Sequence, residues 1–596
     1  MRPFDSRPLP DTRRLVGAVT VVALLLRLPA LGSRVAHFDE GRVAYWALHY
    51  HETGTVSYRY IVHGPLIQHV DAALFGLLGP GDAVARLPVA VVGGLLPLSA
   101  LLLRERLRDE EVVALAALLA CNPVLLYYSR FLRSTLLVAA CCFVAWGALV
   151  RAADTRRVRY VYAAAALVAL GFAAKENAVV YLLVWAGAGV LLVDHELFRP
   201  HAADTGIDVV RERSRAAVAA VGAQGGSTLR LAGHTVGVVG VAALVTFFFF
   251  APRTGPGSAP SAVGLWDALA RPRLLPALVD ATATDIGRGL SYWFGGTTEP
   301  GCHKESVVTA YGCFLGRFLE TLARAAGPLS AFALGGFLVE RYATSRPRPV
   351  VLFAAYWGLV SVVGYPFGTD IYGAWITVNA LVPLAVPAAV GLGVVLRQGR
   401  RAAVAGDRRR AGVVAVALLL VVGSVGATAA TTVYREPAAA DNPLVQYAQP
   451  TDDIRPVLDP LREPEAETGA GPGTGDGPDV VLYGETFVAS SGESDIPPPC
   501  ADLRTTLPLQ WYLARNDLHA TCATNRSELA TVVEAERPAA IVVAAADADS
   551  LRPVLPGYER RTADLRAPGR ETVFFVNRGR NESARAPPTS IRPGRP

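Results

Sequence analysis

The residues whose types best suit chemistry come early, as His37-Phe38-Asp39-Glu40-Gly41, followed by Glu52-Thr53-Gly54, Tyr58-Arg59-Tyr60 and His63-Gly64-Pro65. A carboxylate such as Asp39 or Glu40 can act as general base toward an acceptor hydroxyl or amide, with His37, Tyr58 and His63 holding a polar substrate. An acidic pair in a loop is otherwise solvated surface; the aromatic and histidine company favours a working role. A second set is Tyr127-Tyr128-Ser129-Arg130-Phe131-Leu132-Arg133, and Lys175-Glu176-Asn177 inside a nearly unbroken apolar stretch. A Lys or Arg at mid-membrane costs about 2.5 to 3.5 kcal/mol on insertion scales, so such groups face a cavity or a partner. Arg130, Arg133 and Lys175 suit a phosphate, because guanidinium forks bind its oxygens in pairs and an ammonium adds point charge. The other reading pairs Lys175 with Glu176 or sets it at the bilayer edge, with the arginines extended to the interface. A third set, Tyr365 to Trp375, offers Asp370 and Trp375 to a sugar, or else forms a Gly-rich turn with an interfacial Trp anchor. His37, Asp39, His63 and His303 match no zinc spacing, so no metal is assigned and the cofactor, including any divalent cation, stays unknown.

These groups need a membrane scaffold. Of 596 residues 52% are hydrophobic and only 18% charged, and the mean hydropathy is +0.33; soluble domains carry about 25% charge, so a wholly soluble protein is excluded. Apolar runs of spanning length predict eleven transmembrane helices, near 15–31, 84–103, 111–128, 134–150, 160–174, 177–193, 231–251, 326–340, 349–365, 375–396 and 411–432. Arginine groups before span one and after spans two, four, eight and ten all fall on one face, which the positive-inside rule makes cytoplasmic. The N-terminus is then cytoplasmic, and the loops 32–83 and 252–325 and everything from 433 lie outside the cytoplasm. Loop 194–230 is cytoplasmic. From Thr432 onward the chain holds 17 Arg and no Lys against 24 acids, so the membrane region carries the basic excess of a chain at +6 overall. Its arginines sit in short groups between apolar runs rather than along one groove, which sets nucleic acid aside as a partner.

The expected architecture is a polytopic all-α membrane domain, 1–432, followed by a small extracytoplasmic α/β domain, 433–577, and a disordered tail, 578–596. Within the outer domain, Asn442 to Glu467 reads as a helix, 469–478 as a Gly/Pro-rich loop, Asp479 to Tyr483 as a strand and Leu507 to Asn516 as a helix. Ala539 to Ala545 reads as a buried strand, Ala548 to Leu555 as a helix, and Glu559 to Asn577 as a hairpin turning at Ala567-Pro568-Gly569. Gly41 to His51 and Pro65 to Leu78 have apolar residues at helical spacing, as interfacial helices do. Outside the cytoplasm, Cys302 with Cys313 and Cys500 with Cys522 are disulfide candidates. Asn525-Arg526-Ser527 and Asn581-Glu582-Ser583 match the glycosylation-acceptor pattern.

Together, His37-Phe-Asp-Glu-Gly, Glu52-Thr-Gly, His63-Gly-Pro, Ala85-Arg-Leu-Pro88, Tyr128-Ser-Arg-Phe-Leu-Arg133 and Lys175-Glu-Asn resemble the GT-C membrane glycosyltransferases. That superfamily includes dolichyl-phosphate-mannose protein mannosyltransferases and lipid A aminoarabinose transferases. With Leu507-Pro-Leu-Gln-Trp-Tyr-Leu513 in the outer domain, the chain is most similar to the archaeal flippase-activity-associated proteins of N-glycosylation. The resemblance implies a GT-C fold, a polyprenyl-phosphate-linked sugar donor, a glycan or protein acceptor, and Asp39 or Glu40 as the essential first-loop acid. Where relatives carry an acidic-Lys-x-Pro-Trp stretch, this chain has Gly368-Thr-Asp-Ile-Tyr-Gly-Ala-Trp375, without the Lys and Pro. The expected function is transfer of a sugar to an extracytoplasmic acceptor; the alternative is a non-catalytic partner in translocation of lipid-linked glycans.

Overall fold

The computed structural model describes residues 11–60, 63–197, 227–256, 258, 262–294, 307–368, 372–461, 477–489, 494–565 and 571–577, with isolated helical positions at 208, 211 and 215. Asp370, Cys302, Asn581, most of loops 194–230 and 469–478, the hairpin turn and the tail from 578 lie outside them. The chain divides into two compact units: Met1–Leu31, Glu52–Val70 and Arg86–Pro437 form the first, and Gly32–His51, Asp71–Ala85 and Ala438–Pro596 form the second. The first outer loop is thus divided between them.

In the first unit the apolar runs become helices, beginning with α1 (Thr12–Arg27). Among the described residues eight helices are long and apolar enough to cross a membrane, and the pair α5 (Asp109–Cys121) and α6 (Pro123–Ser129), bent by 53°, makes a ninth. The bend has a local cause: Asn122 caps α6 through Val124 and Leu125 N–H, and Pro123 cannot donate back into α5. The other two expected spans exist as helices of 16 residues, α1 and α8 (Arg159–Ala174). The helix Val378–Val404 is buried through most of its first half and packs against α5, α7 (Ser134–Thr155) and the helices Val307–Leu338 and Pro349–Gly368. Burial of that half matches the apolar run from Ala380 to Leu396, after which Arg397, Gln398, Arg400 and Arg401 occupy the less buried end.

The second unit contains α2 (Phe38–Thr53) through His51, the start of α4 (Asp82–Leu95), and a five-stranded sheet. The helix α3 (Pro65–Leu78) begins with Pro at its first position, where no N–H is required. The strands are β1 (Val480–Tyr483), β2 (Ala520–Ala523), β3 (Ala540–Ala544), β4 (Tyr558–Asp564) and β5 (Glu571–Asn577), in the order β2-β1-β3-β5-β4. β1 pairs in parallel with β2 and β3, while β5 runs antiparallel to β3 and β4. β3 is central and buried on both faces, hence its continuous apolar run Ala-Ile-Val-Val-Ala. Val481, Ile541, Val543, Val573 and Phe575 form one core with Leu529, Ala548 and Leu551.

The expected helix over 442–467 is corrected. Residues 442–454 are turns, and only Arg455–Leu458 and Asp459–Leu461 are helical among the described positions. Pro443 and Pro450 remove donors and hold Asn442 and Gln449 out of helical geometry, while Pro456 fits the first turn of its short helix. Unanticipated elements include the helix Leu275–Phe294 in the first unit and, in the second, β2, a half-buried edge strand, and the helix Arg526–Glu536. Asn525, read as a glycosylation acceptor, caps that helix by accepting from Ser527 and Glu528 N–H. The Cys500–Cys522 disulfide is formed.

Candidate active site

The acid pair opens α2, and each carboxylate has a different environment. His37 Nδ1 accepts from Asp39 N–H at 2.9 Å, while Glu40 accepts from His37 N–H at 2.9 Å. This is a reciprocal cap built with an imidazole in place of the usual hydroxyl. With Nδ1 accepting, Nε2 carries the proton and donates to the Tyr447 carbonyl at 2.7 Å. Glu40 is 2% exposed, and Arg34 Nη2 lies 3.3 Å from each of its oxygens. Glu40 therefore has a cap and a buried ion pair to maintain. Asp39 lies at the positive end of the helix dipole, with one oxygen 3.8 Å from His37 Nδ1. Gly41 has a steric reason: a Cβ there would strike Pro508.

A third acid, Asp82, was not singled out from the sequence. It receives Trp511 Nε1 at 2.8 Å, the Tyr512 hydroxyl at 3.1 Å and Arg455 at 3.2 Å. Trp511 also stacks on Phe75, ring centres 5.7 Å apart. A fourth, Asp71 on α3, is fully buried, and neither of its oxygens meets a hydrogen-bond donor among the described residues. Burial pushes its carboxyl well above the usual range. Its only sequence signal was a carboxylate inside an apolar helical pattern.

In the first unit, two groups of the expected binding residues come together. Tyr58 donates its hydroxyl to Glu176, which is 1% exposed. Burial raises the Glu176 carboxyl, with the Tyr58 hydrogen bond opposing, and burial and then Glu176 raise the Tyr58 hydroxyl. Lys175 stands 4.5 Å over the Trp293 ring. Gly64 N–H donates to the Ala174 carbonyl at 2.9 Å, and a Cβ on Gly64 would strike the Ala173 carbonyl, so the His-Gly-Pro motif docks beside Lys175. His63 Nδ1 and Ser134 Oγ are 2.8 Å apart.

The second group joins the loop after α6 to the late loop. The Arg133 guanidinium lies 3.6 Å over the Trp375 ring, both residues buried. Arg130 instead donates to the carbonyls of Arg27, Pro29 and Ala30, at 2.7, 2.8 and 3.0 Å, closing the end of α1. That geometry gives Arg130 a positioning task, whereas Arg133 presents a flat cation on an aromatic face. Among the described residues no group of three His, Cys, Asp or Glu side chains could hold a metal ion. A polar recess of about 550 Å³ beside Thr254, Ser258, Asp267 and Arg271 contains none of these groups.

Residues 62–206 match the family model for dolichyl-phosphate-mannose-protein mannosyltransferase, and residues 461–577 match that for the Agl23 flippase-associated protein C-terminal domain. No curated protein sequence matches the chain. Among solved structures it is similar to ArnT from Cupriavidus metallidurans in the apo state, with 16% identity and a TM-score of 0.54 over 96% of this chain and 99% of that one. This is a GT-C fold. ArnT bound to undecaprenyl phosphate matches with a TM-score of 0.52 at 16% identity over the same shares. The Archaeoglobus fulgidus oligosaccharyltransferase matches at 14% identity with a TM-score of 0.49, over 93% of this chain and 73% of that one. The GT-C fold and the apolar helices make the chain a multi-pass membrane protein.

Proposed function

We propose that this GT-C protein transfers a sugar from a polyprenyl-phosphate carrier to a glycan or protein acceptor on the extracytoplasmic face, with Asp39 as the general base. The observation that carries the reading is the start of α2, where Asp39 sits at the positive end of the helix dipole with one oxygen 3.8 Å from His37 Nδ1, beside a Glu40 that holds the Arg34 pair and the His37 N–H cap. Arg133, held flat on Trp375, and Lys175, over Trp293, serve the carrier phosphate as its charge develops on departure of the sugar. Tyr58 and His63 orient the groups beside Lys175, and Asp370 and Trp375 serve the sugar. The bound undecaprenyl phosphate of the similar ArnT structure supports a lipid carrier of this class. The arginine pattern supports a cytoplasmic N-terminus and an extracytoplasmic C-terminal domain.

The test is release of free polyprenyl phosphate from sugar-charged lipid of the native membranes by the purified full chain. Asp39→Asn is expected to abolish release while the chain stays folded, with cooperative unfolding retained; undiminished release would overturn the assignment. The second reading, a partner in glycan translocation, is favoured by the match of 461–577 to a flippase-associated domain. It predicts binding of the charged lipid without release, equal in wild type and Asp39→Asn.

A further inference from the structure

Residues 32–37, which lead into α2, form no helix or strand. Their backbone groups must therefore find partners elsewhere, since a buried N–H or C=O without one costs as much as a lost hydrogen bond. The partners come from the C-terminal part of the same unit. Arg455 donates to the Gly32 and Ser33 carbonyls at 2.5 and 2.7 Å, and Gln449 donates to the Val35 carbonyl at 3.3 Å. The Ala36 N–H donates to the Tyr512 hydroxyl oxygen at 2.7 Å, and His37 Nε2 donates to the Tyr447 carbonyl. Tyr512 in turn donates to Asp82, which also anchors Trp511 and Arg455. Beyond the segment, Gly41 seats α2 against Pro508 with no room for a side chain.

We infer that Tyr512 and Asp82 are positioning residues for Asp39: the Leu507-Pro-Leu-Gln-Trp-Tyr-Leu513 segment holds the strandless lead-in to α2 in the one conformation that aims the acid. The inference rests on the assignment of Asp39 as base and deepens it, because it gives the C-terminal domain a task in turnover. Two features argue for positioning over plain stability. Tyr512 acts on a backbone amide three residues before Asp39, and its hydroxyl is the acceptor there, so the contact fixes a dihedral path and not a packing surface. Misplacement of a reacting group by about 1 Å can cost about 100-fold in rate, whereas the two hydroxyl bonds, from Ala36 N–H and to the Asp82 carboxylate, bear on stability by about 1 and about 1.5 to 3 kcal/mol.

The experiment compares Tyr512→Phe with Tyr558→Phe in the full chain in its native lipids. Tyr558→Phe likewise removes a hydroxyl that donates to a carbonyl, that of Pro538 at 2.8 Å, in the same unit but away from the lead-in segment. Three quantities are read: turnover of the native polyprenyl-phosphate-sugar fraction, KM for that lipid, and hydrogen exchange of the amides of residues 33–39. Tyr512→Phe is expected to lower kcat 10- to 100-fold, leave KM within about 2-fold, and speed exchange at Ala36 and Asp39; Tyr558→Phe should do none of these. Wild-type kcat in Tyr512→Phe, or a loss of kcat with unchanged exchange over 33–39, would overturn the inference. Full activity in Asp39→Asn, or a wild type without turnover, would instead overturn the base assignment, and unchanged exchange would then still refute the hold of Tyr512 on the segment.

Discussion

At the residue scale, two adjacent carboxylates with the same intrinsic chemistry are separated by their partners. Glu40→Gln keeps the cap acceptor but leaves the buried Arg34 without its counter-charge, a loss of about 3 kcal/mol. Thermal unfolding should show a larger loss for Glu40→Gln than for Asp39→Asn, which gives up the helix-dipole contribution of about 0.3 to 1 kcal/mol; an equal or larger loss for Asp39→Asn would contradict the division. Arg133→Lys keeps the charge but gives up the flat stacking on Trp375, and should raise KM for the lipid donor about tenfold, as loss of about 1.4 kcal/mol requires. An unchanged KM would remove Arg133 from the phosphate site. Asp71 makes a prediction of sign. Its folded-state carboxyl is raised by burial, so its contribution to stability is full below the ordinary carboxylate range and is lost as pH rises toward the raised value. Asp71→Asn should therefore melt higher than wild type at neutral pH, by a gap that widens from pH 5 to pH 8. Parallel curves would show that the group gains a partner in solution.

At the element scale, the Cys500–Cys522 disulfide closes 22 residues between the turn before Asp502 and β2. Reduction should cost about 3 kcal/mol by loop-closure entropy. Its effect should appear as a lower melting temperature under reductant, absent in a Cys500→Ser/Cys522→Ser variant. The membrane helices, β1, β3 and β5 were readable because each is a run of apolar residues, and β4, which is Tyr-Glu-Arg-Arg-Thr-Ala-Asp, because the Ala567-Pro568-Gly569 turn signal sets it opposite β5. The helix Arg526–Glu536 was equally readable: Asn525 and Glu528 stand three apart before Leu529, a capping signal hidden behind its glycosylation pattern. The stretch 442–454 misled because its apolar residues keep a helical spacing that its prolines forbid. Asp39, Glu40, Lys175 and Arg133 stood out as charges in unusual company. Asp82, Tyr447 and Tyr512 did not, because their task depends on contacts between segments hundreds of positions apart in the chain.

At the scale of the molecule, the two units meet different demands. The first has Lys175 and Arg133 on short breaks between apolar helices, each set against an aromatic ring, where a charge must have a neighbour. The second carries the acid on a helix whose lead-in is tied by the domain that follows the last span. Asp39 thus comes early in the chain, while Gln449, Arg455 and Tyr512, which tie its lead-in, come after the last of the long apolar helices. The central claim is that Asp39 drives sugar transfer, and the most direct measurement is release of free polyprenyl phosphate from sugar-charged native lipid by the purified chain, wild type beside Asp39→Asn. Release by the wild type and none by the variant, with both cooperatively folded, is the predicted result; release at the same rate by both would contradict it.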